Sequence, residues 1–200
     1  MASIYDLKPR FQALLRPLVQ RLADRGVTAN QVTMAAFGLS AVCGALIWLT
    51  GGHLLVLWLV PVVLFLRMAM NAVDGMLARE HGQQSELGML LNELTDPGAD
   101  AVLYLPFMAI AGLSPILVAL VVAAGIIVEL AGILAPMLGV ERRYDGPFGK
   151  SDRALAFGML AVILALGYGG TWLNAVLVLM LVLAIWTIVR RCRAALSEEY

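Results

Sequence analysis

The sequence has little charge and few residues that could form disulfides. Only 14% of its 200 residues are charged and 61% are hydrophobic, whereas soluble domains have about 25% charged and about 45–50% apolar residues. This composition excludes a soluble globular protein and predicts an integral membrane protein. Of the two cysteines, Cys43 falls in an apolar run and Cys192 in a basic tail. We therefore expect two reduced thiols rather than a disulfide.

Long linkers, low-complexity tracts and internal repeats are also missing, which predicts a single membrane domain over residues 1–200. Residues 1–25 lack the apolar core of a cleavable signal peptide because charges interrupt them throughout. We therefore expect the first apolar run to direct membrane insertion itself. The formal net charge is zero. It indicates little about partners, and we expect no nucleic-acid partner.

Apolar runs of about 20 residues, the length that crosses about 30 Å of hydrocarbon as a helix, make up most of the chain. They predict an all-α integral membrane protein with six transmembrane helices. The runs cover about residues 31–50, 54–78, 88–111, 115–139, 154–168 and 171–189.

The basic residues are unevenly distributed along this pattern. Thirteen of the fourteen Lys and Arg residues precede the first run, follow the second or fourth run, or lie in the C-terminal tail. Because basic segments stay in the cytoplasm, we expect both termini and the active site on the cytoplasmic side of a membrane, the inner membrane of a bacterium.

Apolar residues also recur at helical spacing before the first run. They predict an N-terminal amphipathic helix in the cytoplasmic interface, which contacts either lipid or the helix bundle. The stripe consists of Ile4, Leu7, Phe11, Leu14, Leu18 and Leu22.

Polar residues cluster in the second and third runs. Ionisable groups inside a span cost about 2.5–3.5 kcal/mol each on an insertion scale and therefore mark sites. One face of the second run holds Asn71, Asp74, Gly75, Ala78 and Arg79. A ridge on the third run holds Gly88, Asn92, Asp96 and Asp100. Because the connecting loop is short, we expect the two helices to be antiparallel neighbours. Counting residues from the loop then places Asn71 opposite Asp96 and Asp74 opposite Asn92.

The oxygen atoms of these side chains are candidate metal ligands. Carboxylates held close together repel one another unless a cation lies between them. Oxygen ligands without His or Cys favour Mg²⁺, Mn²⁺ or Ca²⁺. The sequence therefore predicts a divalent metal site, and the alternative is a hydrogen-bonded polar seam without metal.

The same residues carry a resemblance to a known family. Residues 71–96 read N-x2-D-G-x2-A-R-x8-G-x3-N-x3-D. This pattern resembles the signature of the class I CDP-alcohol phosphatidyltransferase family, D-x2-D-G-x2-A-R-x8-G-x3-D-x3-D, with every spacing matched. The segments GVTANQVT, residues 26–33, and GKSDR, residues 149–153, are similar to other parts of that family.

The resemblance implies an enzyme of phospholipid synthesis that acts as a homodimer. Such enzymes transfer a phosphatidyl group from a CDP-linked lipid, usually CDP-diacylglycerol, to an alcohol and release CMP. The resemblance implies Mg²⁺ or Mn²⁺, one or two ions, bound by Asp74 and Asp96, and it makes Asp96 the base for the attacking hydroxyl. It assigns nucleotide and phosphate binding to Gly75, Ala78, Arg79 and Ser85.

The chain departs from the signature at Asn71 and Asn92, which occupy metal-binding positions of the family. Amide oxygens can still bind metal, but two negative charges are lost. Either one metal binds, the second binds weakly, or Glu93 and Asp100 compensate. A register shifted by four loop residues would make Asp96 and Asp100 the last two acids, and we prefer the register without a gap.

Asp100 also has a structural interpretation. Arg67, Asp100 and Glu129 lie at similar depths in their runs, which predicts a buried ion-pair network.

The loop before the fifth run carries four basic residues: Arg142, Arg143, Lys150 and Arg153. They are either a topology signal that also attracts anionic headgroups, or the binding site of the acceptor. The resemblance favours a phosphorylated alcohol, such as a glycerol or inositol phosphate.

Two other functions remain open. A catalytically impaired member of the family that only binds nucleotide lipid is favoured by the two asparagines and opposed by Asp74, Arg79 and Asp96. A small transporter subunit would explain the charged residues near the middle of the spans. Many transporters, however, have helices broken by Gly or Pro at corresponding positions in the two halves of the chain, and this sequence lacks such a pair.

Overall fold

A computed structural model of the chain describes residues 4–197, with side chains described from Phe11 onward. This part of the chain forms seven α-helices and two short 3₁₀ segments, which confirms the predicted all-α fold. The helices are α1 (Ile4–Asp24), α2 (Ala29–Thr50), α3 (Leu54–Glu80), α4 (Glu86–Tyr104), α5 (Pro115–Ile133), α6 (Lys150–Ala165) and α7 (Leu173–Ser197). The 3₁₀ segments are Leu105–Ala109 and Ala135–Leu138.

Within the described residues, four helices are long and apolar enough to cross a membrane, so the chain is an integral membrane protein. These spans are Ala29–Thr50, Leu54–Glu80, Pro115–Leu138 and Leu173–Ser197. The other two predicted spans correspond to α4 and α6. Four carboxylates reduce the hydropathy of α4, and α6 has only 16 residues. The count of six spans therefore stays a prediction.

The helices begin where side chains can bind the free backbone N–H groups. Before α2, the hydroxyl of Thr28 accepts a hydrogen bond from the Gln31 amide (3.2 Å), and the Gln31 side chain accepts one from the Thr28 amide (3.0 Å). The Ser85 hydroxyl caps α4 by accepting from the Gly88 amide (3.0 Å). These caps fix where the two helices that flank α3 begin.

Loop contacts define the two ends of the bundle. At one end, Gln83 of the α3–α4 loop accepts a hydrogen bond from the Ala29 amide (2.7 Å) and donates to the Val27 carbonyl (3.2 Å). At the other end, Asn174 accepts from the Ser114 amide (2.7 Å) and donates to the Gly112 carbonyl (3.2 Å). Successive helices therefore run in opposite directions.

The core lies between helices α2 to α7, and a glycine permits one close approach within it. A Cβ atom at Gly44 would overlap the carbonyl oxygen of Val102, so glycine lets α4 pack directly on α2. Further in, the rings of Tyr104 and Phe157 stack with centroids 4.0 Å apart. Both α3 and α4 pack on α2, and a side-chain hydrogen bond from Asn71 to Asp96 links α3 to α4.

Helix α1 packs on α3. Arg16 and Glu80 form an ion pair (2.9 Å), and the ring centroids of Phe11 and Phe65 are 6.3 Å apart. Val19 is fully buried in this contact, whereas Leu14 is 75% exposed. Phe11 of the stripe therefore contacts the bundle, whereas the amphipathic helix in the interface stays a prediction. The side chains of Ile4 and Leu7 lie outside the described set.

Candidate active site

The polar residues of α3 and α4 meet at Asn71 and Asp96, the pairing predicted by counting from the short loop. The Asn71 amide Nδ2 donates a hydrogen bond to Asp96 Oδ1 (3.2 Å). On its other side, Asp96 Oδ2 lies 2.5 Å from Nζ of Lys150, the first residue of α6. Asp96 is therefore held between α3 and α6, and its side chain stays 25% exposed.

Asp74 lies deeper, with 6% of its surface exposed. The Thr33 hydroxyl on α2 donates a hydrogen bond to Asp74 Oδ2 (2.7 Å), and this contact compensates part of the cost of burial. Asp74 interacts electrostatically with both Asp96 and Lys150. We did not predict the role of Thr33, although it lies in the segment GVTANQVT that resembles the family.

The donor atoms fit a hard divalent cation. Asp74 and Asp96 provide carboxylate oxygens, and Asn71 and Asn92 provide amide oxygens, the ligand types that suit Mg²⁺ and Mn²⁺. Among the side chains described from Phe11 onward, no three His, Cys, Asp or Glu residues form a metal-binding group. An ion held by Asp74 and Asp96 would take its other ligands from the asparagine oxygens, water or substrate.

The small residues of the signature leave room for longer side chains. A Cβ atom at Gly75 would lie 3.1 Å from Arg79 Nη2, so the exposed guanidinium of Arg79 folds back over Gly75. A Cβ atom at Gly88 would lie 2.9 Å from the Asn30 side-chain oxygen. Ala78 follows Gly75 by three residues and is partly exposed. The surface near Arg79 is therefore accessible to an anionic group.

A buried ion-pair network lies below the site. Arg67 Nη2 is 2.9 Å from Asp100 Oδ1, and Arg153 Nη2 is 3.1 Å from Asp100 Oδ2 and 2.9 Å from Glu129 Oε1. These contacts join α3, α4, α5 and α6 and confirm the predicted network, with Arg153 as the link to Glu129. Both carboxylate oxygens of Asp100 already bind guanidinium groups, so metal binding by Asp100 stays a prediction.

A polar cavity of about 450 Å³ opens beside Asp96. Arg142 pairs with Glu93 across it, and Arg142 Nη2 lies 3.9 Å from Glu129 Oε2. Charged residues of both signs line the cavity: Glu93, Asp96, Glu129, Arg142, Lys150, Asp152 and Arg191.

Arg191 is a cavity residue that sequence reasoning missed. It is 3% exposed, and its guanidinium donates to the carbonyls of Val128 (2.6 Å) and Asp145 (3.1 Å). The preceding buried positions Ala184 and Thr187 lie on the same face of α7. This spacing could have identified Arg191, but the charge of the tail was interpreted only as a topology signal.

The four basic residues of the loop do not share one environment. Arg142 and Lys150 line the polar cavity, whereas Arg153 is buried in the network. Arg143 Nε lies 2.9 Å from Asp145 Oδ2, and this hydrogen bond holds the pKa of Asp145 below its ordinary value. Asp145 therefore stays ionised and keeps Arg143 paired at neutral pH.

A second, apolar cavity of about 670 Å³ lies between α3 and α6. Its walls include Phe65, Met68 and Leu155, and its polar end includes Asn71. Lys150 and Ser151 line both this cavity and the polar one. The two cavities therefore share two wall residues, and one of them, Lys150, pairs with Asp96.

Comparisons with known proteins agree with this arrangement. The family model described as CDP-alcohol phosphatidyltransferase matches residues 26–189, which include both polar rows. The inner membrane protein YnbA of Escherichia coli K12 is 45% identical over 195 residues, covering 97% of this chain and 96% of that protein. Archaetidylinositol phosphate synthase of Aeropyrum pernix is 28% identical over 163 residues, covering 82% and 80%.

Solved structures share the fold. The crystal structure of Mycobacterium tuberculosis phosphatidylinositol phosphate synthase (PgsA1) with manganese and citrate has a TM-score of 0.76 and 18% identity, covering 90% of this chain and 87% of that one. The structure of the same enzyme with CDP-DAG bound has a TM-score of 0.71, with 92% of each chain covered. The structural likeness concerns the fold, and the family model covers most of the sequence. The chain belongs to the CDP-alcohol phosphatidyltransferase family.

Proposed function

We propose that this protein synthesises a phospholipid by transferring a phosphatidyl group from CDP-diacylglycerol to an alcohol, with release of CMP. The observation that carries the proposal is that an apolar and a polar cavity share Lys150 and Ser151 as wall residues, and that Lys150 pairs with Asp96. A lipid donor needs an apolar wall and a small alcohol needs polar partners. The proposal is supported by a fold neighbour whose structure contains CDP-DAG.

The apolar cavity suits the acyl chains of the donor. Its walls on α3 and α6 are formed mainly by aliphatic and aromatic side chains, and it reaches Asn71 at its polar end. In this position the pyrophosphate would lie near Asp74 and Asp96, with the CMP end toward exposed Arg79. We assign phosphate binding to the Arg79 guanidinium and nucleotide contacts to Ser85, with Gly75 and Ala78 leaving room for the nucleotide.

We assign metal binding to Asp74 and Asp96, assisted by Asn71 and Asn92, and leave Asp100 as a weaker candidate because of its ion pairs. A bound Mg²⁺ or Mn²⁺ would supply charge neutralisation at the pyrophosphate. Asp96 accepts the proton of the acceptor hydroxyl. That oxygen then forms a bond with the phosphatidyl phosphorus, while the bond from phosphorus to the CMP oxygen breaks.

The polar cavity is our proposed site for a phosphorylated acceptor. Arg142, Lys150 and Arg191 provide positive charge within it, and guanidinium groups bind phosphate oxygens well. Arg143 pairs with Asp145, and Arg153 pairs with Asp100. We therefore propose that these two arginines stabilise the loop and α6 and do not contact the acceptor. The related protein from Aeropyrum pernix is named for the synthesis of archaetidylinositol phosphate. This name supports a phosphorylated alcohol as the acceptor.

Changing Arg142 or Glu93 should alter acceptor binding in opposite directions. Arg142→Gln should raise the KM for glycerol 3-phosphate or inositol phosphate by about tenfold or more, the effect of losing a charged hydrogen bond worth about 1.5–3 kcal/mol. Glu93→Gln should lower the same KM severalfold because Arg142 loses its carboxylate partner. The KM for CDP-diacylglycerol should change little in either variant.

The matched control for these variants is Arg190→Gln, which removes an exposed positive charge from α7. Its KM values should equal those of the unaltered protein. Equal use of unphosphorylated alcohols, or unchanged acceptor KM in Arg142→Gln, would contradict the acceptor assignment.

We also propose six spans in one membrane domain over residues 1–200. The loop contacts at the two ends of the bundle support this count, because α4 and α6 connect the same two ends as the four apolar spans. Both termini would then lie on the cytoplasmic side of a bacterial inner membrane, the location named for the Escherichia coli relative. We retain the homodimer, which rests on the family resemblance.

A second candidate function is nucleotide-lipid binding without catalysis. It is favoured by Asn71 and Asn92 and by the engagement of both Asp96 oxygens. CMP release from CDP-diacylglycerol by the purified protein, with and without Mg²⁺, tests the two against each other. A binding protein would retain CDP-diacylglycerol and release no CMP.

A further inference from the structure

The Lys150 ammonium occupies one side of the proposed metal site. Its Nζ lies 2.5 Å from Asp96 Oδ2, and Asn71 Nδ2 lies 3.2 Å from Asp96 Oδ1. Each carboxylate oxygen of Asp96 therefore has one N–H partner and keeps one further lone pair. Asp96 can bind one ion in addition to these contacts. The Lys150 ammonium, however, already places a positive charge beside Oδ2.

Helix α6 fixes Lys150 in this position. Lys150 is the first residue of α6, and the Asp152 carboxylate caps the helix by accepting a hydrogen bond from the Gly149 amide (2.9 Å). One turn later, Arg153 is 2% exposed and binds Asp100 and Glu129. Because both ends of this first turn are anchored, the backbone of Lys150 is held at a position from which its side chain reaches Asp96.

The charges of the site indicate why this lysine matters. Asn71 and Asn92 contribute oxygen atoms without charge, so Asp74 and Asp96 provide two negative charges. Lys150 reduces the sum to one negative charge. One divalent ion carries two positive charges and therefore already exceeds the single negative charge of the site. A second ion at Asp96 would also be repelled by the neighbouring Lys150 ammonium group.

We propose that Lys150 acts as a built-in cation that replaces a second divalent ion at Asp96, so that each chain binds one ion. The inference rests on the proposed metal dependence. In this arrangement Asp74 and Asp96 would hold the single ion, and Lys150 also lines both cavities.

Titration of the purified protein with Mn²⁺ alone tests the proposal, with unbound Mn²⁺ measured by electron paramagnetic resonance. The unaltered chain should bind one Mn²⁺. Lys150→Gln should bind Mn²⁺ at least about tenfold more tightly, because a like charge is removed from beside the ion. Lys150→Arg should keep the original affinity, and so should the control Arg190→Gln. Size-exclusion chromatography verifies that each variant is folded.

Two Mn²⁺ ions per unaltered chain, no Mn²⁺ binding, or an unchanged affinity in folded Lys150→Gln would overturn the proposal. Measuring CMP release distinguishes a failure of this proposal from a failure of the proposed function. A chain that binds one Mn²⁺ but releases no CMP contradicts the proposed function and supports the role of Lys150. A chain that releases CMP but binds two ions overturns only the role of Lys150.

Discussion

Asp96→Asn is expected to lower CMP release by about 10³-fold or more. The substitution preserves the size of the side chain, but it removes a charged ligand, the proposed base and one of the two oxygens that accept from Asn71 and Lys150. General-base catalysis alone is worth about 10²–10⁴-fold, and the loss of metal affinity adds to this. The initial rate of CMP release at saturating substrates and Mg²⁺ measures the effect.

Asp74→Asn should have a comparable effect, because its carboxylate is the other charged ligand and Thr33 holds it in place. The matched control is Asp24→Asn, which removes an exposed carboxylate at the end of α1 and should keep full activity. An active Asp96→Asn enzyme would exclude the role of Asp96 as base. A folded but inactive Asp100→Asn enzyme would instead favour the shifted register.

Asp100→Asn is expected to destabilise the protein strongly. Asp100 is 6% exposed and bonds to Arg67 and Arg153, which are 4% and 2% exposed. Removing one partner of a buried ion pair costs about 3–5 kcal/mol, because the remaining charges stay buried without compensation. A thermal unfolding scan in detergent should therefore show a clearly lower Tm than the unaltered protein.

Asp24→Asn again serves as control and should unfold at the original temperature. The catalytic rate per folded Asp100→Asn molecule should fall much less than in Asp96→Asn. An unchanged Tm would show that the network contributes little to stability and would weaken the structural interpretation of Asp100.

Helical periodicity predicted the main features of the site. The four-residue spacing along α4 placed Asp96 and Asp100 on one ridge, and counting from the short loop placed Asn71 opposite Asp96, as the structure confirms. Depth along the apolar runs likewise predicted a link between Arg67 and Asp100. These features depend on neighbouring helices and short loops, which leave little freedom in register.

Contacts between distant elements could not be predicted in the same way. The pairing of Lys150 with Asp96 depends on how α6 packs across α3, and the burial of Arg191 depends on how α7 packs on α5. A basic loop looks alike in sequence whether its charges face solvent, a cavity or a buried carboxylate. Packing places Arg142 at the polar cavity, Arg143 against Asp145, and Arg153 against the buried Asp100 and Glu129.

The most direct test of the central claim is CMP release from radiolabelled CDP-diacylglycerol by the purified protein. The assay supplies a phosphorylated alcohol and compares Mg²⁺ with EDTA. The proposed function predicts CMP release that requires both the acceptor and the metal, with a phospholipid as second product. Bound CDP-diacylglycerol without CMP release would contradict catalysis, and full activity in EDTA would contradict the metal site.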